Sequence, residues 1–257
     1  MGSIPEFSTL TLDVTSSIAH IRLTRPALLN RFDGPGHGEF ADALDIAAKT
    51  DHVRALILSA EGKVFSAGGD FDEIVEAGTS ARVREGMVRD AKRVFHTLVG
   101  ARFPVIAAVQ GAAAGLGATI VTLCDIVVAS RNVKLSDPHV AVGIVAGDGG
   151  IIGWSQSIGI NRAKRYLLTG DSLTAAEAYA MGLVSDLVET PDDVVPRAEE
   201  FAQKIVSLPR GGIEGTKRAF ARLTQQTALS VLDLGLAYEM ESIMHPDVAA
   251  TVARARK

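Results

Sequence analysis

The sequence predicts an α/β protein that ends in a helical lobe. Three observations predict it. Residues 53–60 (VRALILSA), 104–109 (PVIAAV) and 125–129 (DIVVA) are short, nearly continuous apolar runs, as expected of strands covered on both faces. Segments with helical spacing of apolar residues separate these runs, and after about Val188 no strand candidate remains. The chain has 257 residues, enough to bury a substantial core.

In chain order, residues 9–14 and 18–23 carry β-branched and apolar side chains around Ser16-Ser17 and predict an entering hairpin. Residues 38–49 and 80–99 predict helices, the second with many charges on its outer face. The connections between strands are expected to be right-handed crossovers. Residues 103–124 carry no charge and are long enough to span a bilayer, but Pro104, Gln110 and three glycines divide them into a strand, a turn and a helix. Helices are expected at residues 191–207, 211–224 and 229–244. The resulting division is a core at residues 8–188 and a helical lobe at residues 189–257. The opening MGSIPEF reads as a cloning remnant and is given no structural role.

Composition narrows the function. The 26 Lys and Arg against 30 Asp and Glu give a net charge of −4, without the basic excess that nucleic acid binding uses. With 47% hydrophobic residues, the chain is not of the disordered class. Its single cysteine, Cys124, forms no internal disulfide and is expected to be a buried packing residue. No secretory signal is apparent, so a cytoplasmic location is expected. No His, Asp or Glu grouping has metal-ligand spacing, and no metal or separate cofactor is expected.

Two glycine-rich turns share one chemistry: VFSAGGDFDEI at residues 64–74 and VQGAAAGLGATI at residues 109–120. In each, small residues let a ligand approach the backbone just before a helix begins. The free N–H groups there, at the positive end of the helix dipole, suit a carbonyl oxygen gaining negative charge. Gly68, Gly69, Gly115 and Gly117 would equally serve tight turns alone. Neither turn is followed by the Lys-Ser or Lys-Thr of a phosphate loop. Asp70 and Asp72 are expected to cap the helix after the first turn.

These turns, with RPALLN at residues 25–30, CDIVVAS at 124–130, GIVAGDGG at 143–150 and YLLTGDSLTAAEAYAMGLVSDLV at 166–188, resemble the crotonase family, also called the enoyl-CoA hydratase/isomerase family. The resemblance covers nearly the whole chain. It implies a spiral of ββα units, a helical lobe used in homotrimers or hexamers, and a CoA thioester held by its carbonyl. The family's two oxyanion amides fall on Gly69 and Leu116, and its substrate-side positions on Arg25 and Ala67. The two glutamates that handle water in its hydratases fall on Thr119 and His139. A threonine hydroxyl has no useful basicity at neutral pH, so ordinary enoyl-CoA hydration is not expected.

Residues 136–170 are more similar to 6-oxocamphor hydrolase, a branch of the family that opens cyclic 1,3-diketones. That similarity implies a site of His139, Asp148 and Glu239, with Trp154 at its border. The chemistry is sound in itself: an imidazole activates water while a carboxylate fixes its tautomer. Asp148 is expected to orient His139, and Glu239 to hold the water or support the histidine. His37, His96 and His245 have no matching role, and His20 and His52 are expected at exposed strand or turn positions. Phe32, Phe71, Val142 and Trp154 are candidates for shaping the pocket. The expected function is retro-Claisen hydrolysis of a β-dicarbonyl, either a cyclic β-diketone or a β-ketoacyl-CoA. The alternatives are an enoyl-CoA hydratase/isomerase, an acyl-CoA thioester hydrolase, and a protein that binds acyl-CoA without turnover.

Overall fold

The structure is a computed structural model and describes residues 5–255; residues 1–4 of the opening segment lie outside it. A hairpin of β1 (Leu10–Thr15) and β2 (Ile18–Leu23) enters the domain. Its turn places Ser16 and Ser17 both at positive φ, 50° and 68°, the mirror-type turn whose twist suits a hairpin. A helix α1 (Gly34–Lys49) follows, capped by Asp33, whose side chain accepts from Gly36 N–H.

The chain then alternates between two sheets. A long strand is followed by a short one and then by helix: β3 (Ala55–Ala60), β4 (Val64–Ser66), α2 (Phe71–Ala77) and α3 (Ala81–Gly100), then β5 (Val105–Val109), β6 (Ala112–Ala114) and α4 (Leu116–Leu123). Strands β7 (Ile126–Ser130) and β8 (Lys134–Ser136) continue the pattern into α5 (Gly150–Ile158) and α6 (Ile160–Thr169). They are succeeded by β9 (Ser172–Thr174), α7 (Ala175–Met181) and β10 (Asp186–Val188). The long strands form a six-stranded sheet in the order β1-β2-β3-β5-β7-β10, parallel except for the hairpin. The short strands form a four-stranded sheet in the order β4-β6-β8-β9. This is the expected spiral of ββα units.

Strand β5 is buried at every residue, which explains its unbroken apolar reading. One face of the large sheet, through Ile57, Ile106 and Val128, packs on α8 (Val194–Ser207). Residues 103–124 divide into strand, strand and helix, and among the described residues no helix is long and apolar enough to cross a membrane.

Three expectations need correction. The two helices expected at residues 211–224 and 229–244 are one 34-residue helix, α9 (Arg210–Ile243), because residues 225–228 (QQTA) contain no breaker and the helix runs through them. A last helix, α10 (Asp247–Ala255), follows it and was not anticipated. His20 is not exposed: its Nε2 lies 2.7 Å from Ser59 Oγ, and burial, with Arg22 nearby, lowers its pKa to about 4. His52, by contrast, is exposed as expected. Cys124 is partly buried; its thiol donates to the Ile120 carbonyl at 3.3 Å, and burial raises its pKa.

Helix α9 lies across the core, with Leu232 and Leu236 in the main hydrophobic cluster. Its position is set by a glycine contact: a Cβ at Gly147 would lie 2.2 Å from the Gly235 carbonyl oxygen. Lys217 also anchors α9, donating from a nearly buried ammonium to Asp125 Oδ1 at 2.8 Å. Gly147→Ala is therefore expected to push α9 off the loop. The strain is on the order of 1–3 kcal/mol, read as a Tm lower by several degrees in thermal denaturation.

Candidate active site

The two glycine turns meet. Gly68 sits at φ 88°, and a Cβ there would lie 2.6 Å from the Ala114 carbonyl oxygen and 3.2 Å from Leu116 N. Gly117 brings α4 onto β4, where an added Cβ would meet Ser66 Cβ at 2.7 Å. Only glycine lets the loops approach this closely. The first turn is held by Phe32 N–H donating to Gly68 O at 2.7 Å and Asp70 N–H donating to Phe32 O at 2.9 Å. Asp70 caps α2 by accepting from Asp72 N–H and Glu73 N–H, whereas Asp72 is not the cap residue. The second turn places Leu116 at the first position of α4, after Gly115 at φ 51°. Neither Gly69 N–H nor Leu116 N–H donates to a protein acceptor among the described residues. Both residues line one cavity of about 100 Å³, with Ala67 beside them.

His139, Asp148 and Glu239 line the same cavity. His139 begins a short 3-10 turn, His139–Val142, after β8. Its ring lies against the second glycine turn: a Cβ at Gly115 would be 3.6 Å from His139 Cε1. Asp148 precedes α5, and Glu239 comes from α9, one turn beyond the Gly147–Gly235 contact. Thus one residue from each of three distant segments reaches one point.

The orienting bond differs from expectation. Asp137, fully buried and not singled out from sequence, takes His139 Nδ1 through its Oδ1. Asp148 stands on the other side of the ring, its Oδ2 3.8 Å from Nε2. That is too long for a hydrogen bond but lets one water, about 2.8 Å from each, touch both. The other Asp148 oxygen accepts from Thr119 Oγ1 at 3.1 Å and from Gly150 N–H at 3.2 Å. Thr119 thus holds the Asp148 carboxylate in place.

Charge is concentrated here. Burial alone would lower the pKa of His139, but Asp137, Asp148 and Glu239 outweigh it and raise it to about 10. Burial, then the Asp148 charge, raises Glu239 to about 8. Burial likewise raises Asp148, against the pull of the His139 cation. At neutral pH the site holds an imidazolium and a protonated Glu239. It can give a proton, accept one and stabilise an oxyanion.

Other expected residues lie elsewhere. Arg25 does not line the cavity: its guanidinium is taken up by Asp33, at 2.7 and 3.0 Å, and by the Arg31 carbonyl at 2.6 Å. The RPALLN segment instead supports the first turn, since Leu29 O accepts from Ala67 N–H and Asn30 bridges Glu61 and Val64. Trp154 is fully buried against Tyr166 and forms core, not pocket wall. Phe71 and Val142 do line the cavity; Phe32 does not. His37, given no role from sequence, lines it as well. Its Nδ1 faces the Asp33 carbonyl at 2.9 Å, which fixes the tautomer with Nε2 as acceptor, and burial lowers its pKa. His96 and His245 are exposed. Among the described residues no grouping of three or more His, Cys, Asp or Glu is arranged to hold a metal ion.

Glu239 supplies a stability signature. Its carboxyl binds a proton more tightly folded than unfolded, so stability is full below the unfolded value near 4.5 and declines as pH rises toward about 8. Glu239→Gln is expected to remove that decline: relative to wild type, the variant gains stability between pH 5 and pH 8 in denaturant titrations. Thr119→Val, which leaves the volume but not the hydrogen bond, is expected to cost about 1–3 kcal/mol and to lower kcat.

Residues 13–250 match the family described as enoyl-CoA hydratase/isomerase. The short-chain-enoyl-CoA hydratase of Clostridium acetobutylicum is 33% identical over 238 residues, 92% of this chain and 88% of the relative. Among solved structures, an enoyl-CoA hydratase/isomerase from Mycobacterium paratuberculosis superposes with a TM-score of 0.92 at 34% identity, covering 97% of this chain and 100% of that one. A β-diketone hydrolase from the cyanobacterium Anabaena, bound to (S)-3-oxocyclohexyl acetic acid, superposes with a TM-score of 0.84 at 28% identity, covering 93% and 95%. With the family match spanning most of the chain and its fold the same ββα spiral, this protein belongs to the enoyl-CoA hydratase/isomerase, or crotonase, family.

Proposed function

We propose that the protein is a hydrolase that cleaves a carbon-carbon bond of a β-dicarbonyl by a retro-Claisen reaction. The observation that carries this reading is the His139 ring between Asp137 and Asp148, facing two free amides across one cavity. The likeness to a β-diketone hydrolase supports it, as does the absence of the hydratase glutamate at Thr119.

A water held between His139 Nε2 and Asp148 Oδ2 gives its proton to the Asp148 carboxylate as its oxygen bonds to the ketone carbon, while the His139 cation keeps its own. The tetrahedral alkoxide collapses to a carboxylic acid, and the bond to the α-carbon breaks. Its electron pair becomes an enolate whose oxygen lies on Gly69 N–H and Leu116 N–H, where the charge develops. The His139 cation then protonates the α-carbon and regains a proton from Asp148, and the balance is one water added across one carbon-carbon bond. Asp137 holds the ring so that Nε2 faces the water, and Glu239, protonated, can donate to it. A cyclic diketone gives one ring-opened acid, and a β-ketoacyl-CoA gives its thioester enolate to the same amides. The relatives named as hydratases support an acyl-CoA in the same cradle, with the His139 and Asp148 pair in the acid-base roles. Exposed Phe220, Leu223, Leu229 and Leu234 on α9 support assembly as a homotrimer or hexamer.

His139→Ala is expected to lower kcat by at least about 100-fold while an uncharged 1,3-diketone still binds within about threefold, measured by calorimetry. Unchanged turnover would overturn the assignment. Asp137→Asn is expected to lower kcat and to move the His139 titration down from about 10, followed by 15N NMR of the ring.

A further inference from the structure

The wall of the cavity carries a carboxyl that the mechanism does not use. Glu73 lies on α2, four residues beyond the Gly69 amide, and lines the cavity with its side chain half-buried. Asp70, beside it, is neutralised by Arg31 at 2.6 Å, and Asp137 and Asp148 face the His139 cation. Glu73 has no ion pair and no side-chain hydrogen bond among the described residues. The cavity lining contains four carboxyl groups, Asp70, Glu73, Asp148 and Glu239, and neither a lysine nor an arginine.

We propose that this cavity selects a substrate whose reacting end is uncharged and that Glu73 is the specificity-determining residue, rejecting an anionic substituent near the carbonyl held at Gly69 and Leu116. The inference rests on the assignment of those amides as the carbonyl cradle. An unneutralised carboxylate in a partly desolvated wall repels a like charge far more strongly than in water. Discrimination by repulsion needs no contact with the favoured substrate. Facing Glu73 are Asp70 and Glu76 from its own helix, Asp33 before α1 and Asp90 on α3; His37 and Glu239 also line the cavity. Arg25 is committed to Asp33 and Arg31 to Asp70, so neither is free to bind a substrate anion. Burial and then these carboxylates raise the Glu73 pKa to about 7, so rejection strengthens as pH rises through neutrality.

The test uses a matched pair of 2-methylcyclohexane-1,3-diones bearing at C2 either a propionamide or a propionate arm. Both kcat/KM and Kd are measured for wild type and Glu73→Gln at pH 8.5. The amide is expected to be favoured by at least about tenfold in wild type and by less than about threefold in Glu73→Gln. In wild type alone, which bypasses any folding defect of the variant, the ratio is expected to fall between pH 8.5 and pH 6. A ratio near one in wild type, or one unchanged by Glu73→Gln, overturns the inference. Binding that keeps the charge preference without cleavage of either compound contradicts the C–C hydrolase reading alone. Binding of neither compound contradicts both.

Discussion

The site depends on the contact between two glycine turns. Gly68 passes so close to Ala114 and Leu116 that no side chain fits between them, and this closeness aims two backbone N–H groups at one cavity. Everything else supports that approach. Phe32 pairs with the first turn, Asn30 and Leu29 brace it, and Gly117 lets α4 settle on β4. The amides sit on backbone fixed by sheet and helix, so they need no reorganisation when charge appears on a bound carbonyl.

Beside this cradle the protein buries three carboxyls and one imidazole. Three buried carboxylates without a cation would be costly, and the arrangement limits that cost by distributing protons. His139 keeps its charge between Asp137 and Asp148, and Glu239 keeps its proton. An uncharged residue at position 119 makes this possible. Thr119 fills the place with a hydroxyl that donates to Asp148, so one more anion is avoided and an existing one is positioned. The cavity then holds both proton donors and proton acceptors at neutral pH, which a reaction that adds water at one carbon and a proton at another requires.

The hairpin, the large-sheet strands β3, β5 and β7 and helices α1, α3 and α8 were legible because each carries its own periodicity or apolar run, whereas β10 is only three residues long. The strands of the small sheet are three residues each, too short to show a pattern. Helix α9 read as two because its apolar spacing lapses at Gln225 and Gln226, yet nothing there stops a helix. At the site, Gly69, Leu116, His139, Asp148 and Glu239 were legible through motif order and resemblance, and the structure brings all five to one cavity. Asp137 was not: only the 3-10 turn after Pro138 folds its carboxyl back to His139 Nδ1. His37 and Glu73 were illegible for a simpler reason, since helix packing alone decides that α1 and α2 face the cavity. Arg25 illustrates the converse, a motif residue whose charge is spent on Asp33.

The central claim is that water activated at His139 and Asp148 cleaves a carbon-carbon bond while an enolate rests on Gly69 and Leu116. Mass spectrometry of products formed in oxygen-18 water tests it most directly, with a bicyclic 1,3-diketone, a cyclic β-ketoacyl-CoA and crotonyl-CoA supplied in parallel. The account predicts a ring-opened acid carrying the label in its new carboxyl group from one of the two dicarbonyl compounds. Labelled 3-hydroxybutyryl-CoA as the only product would contradict it.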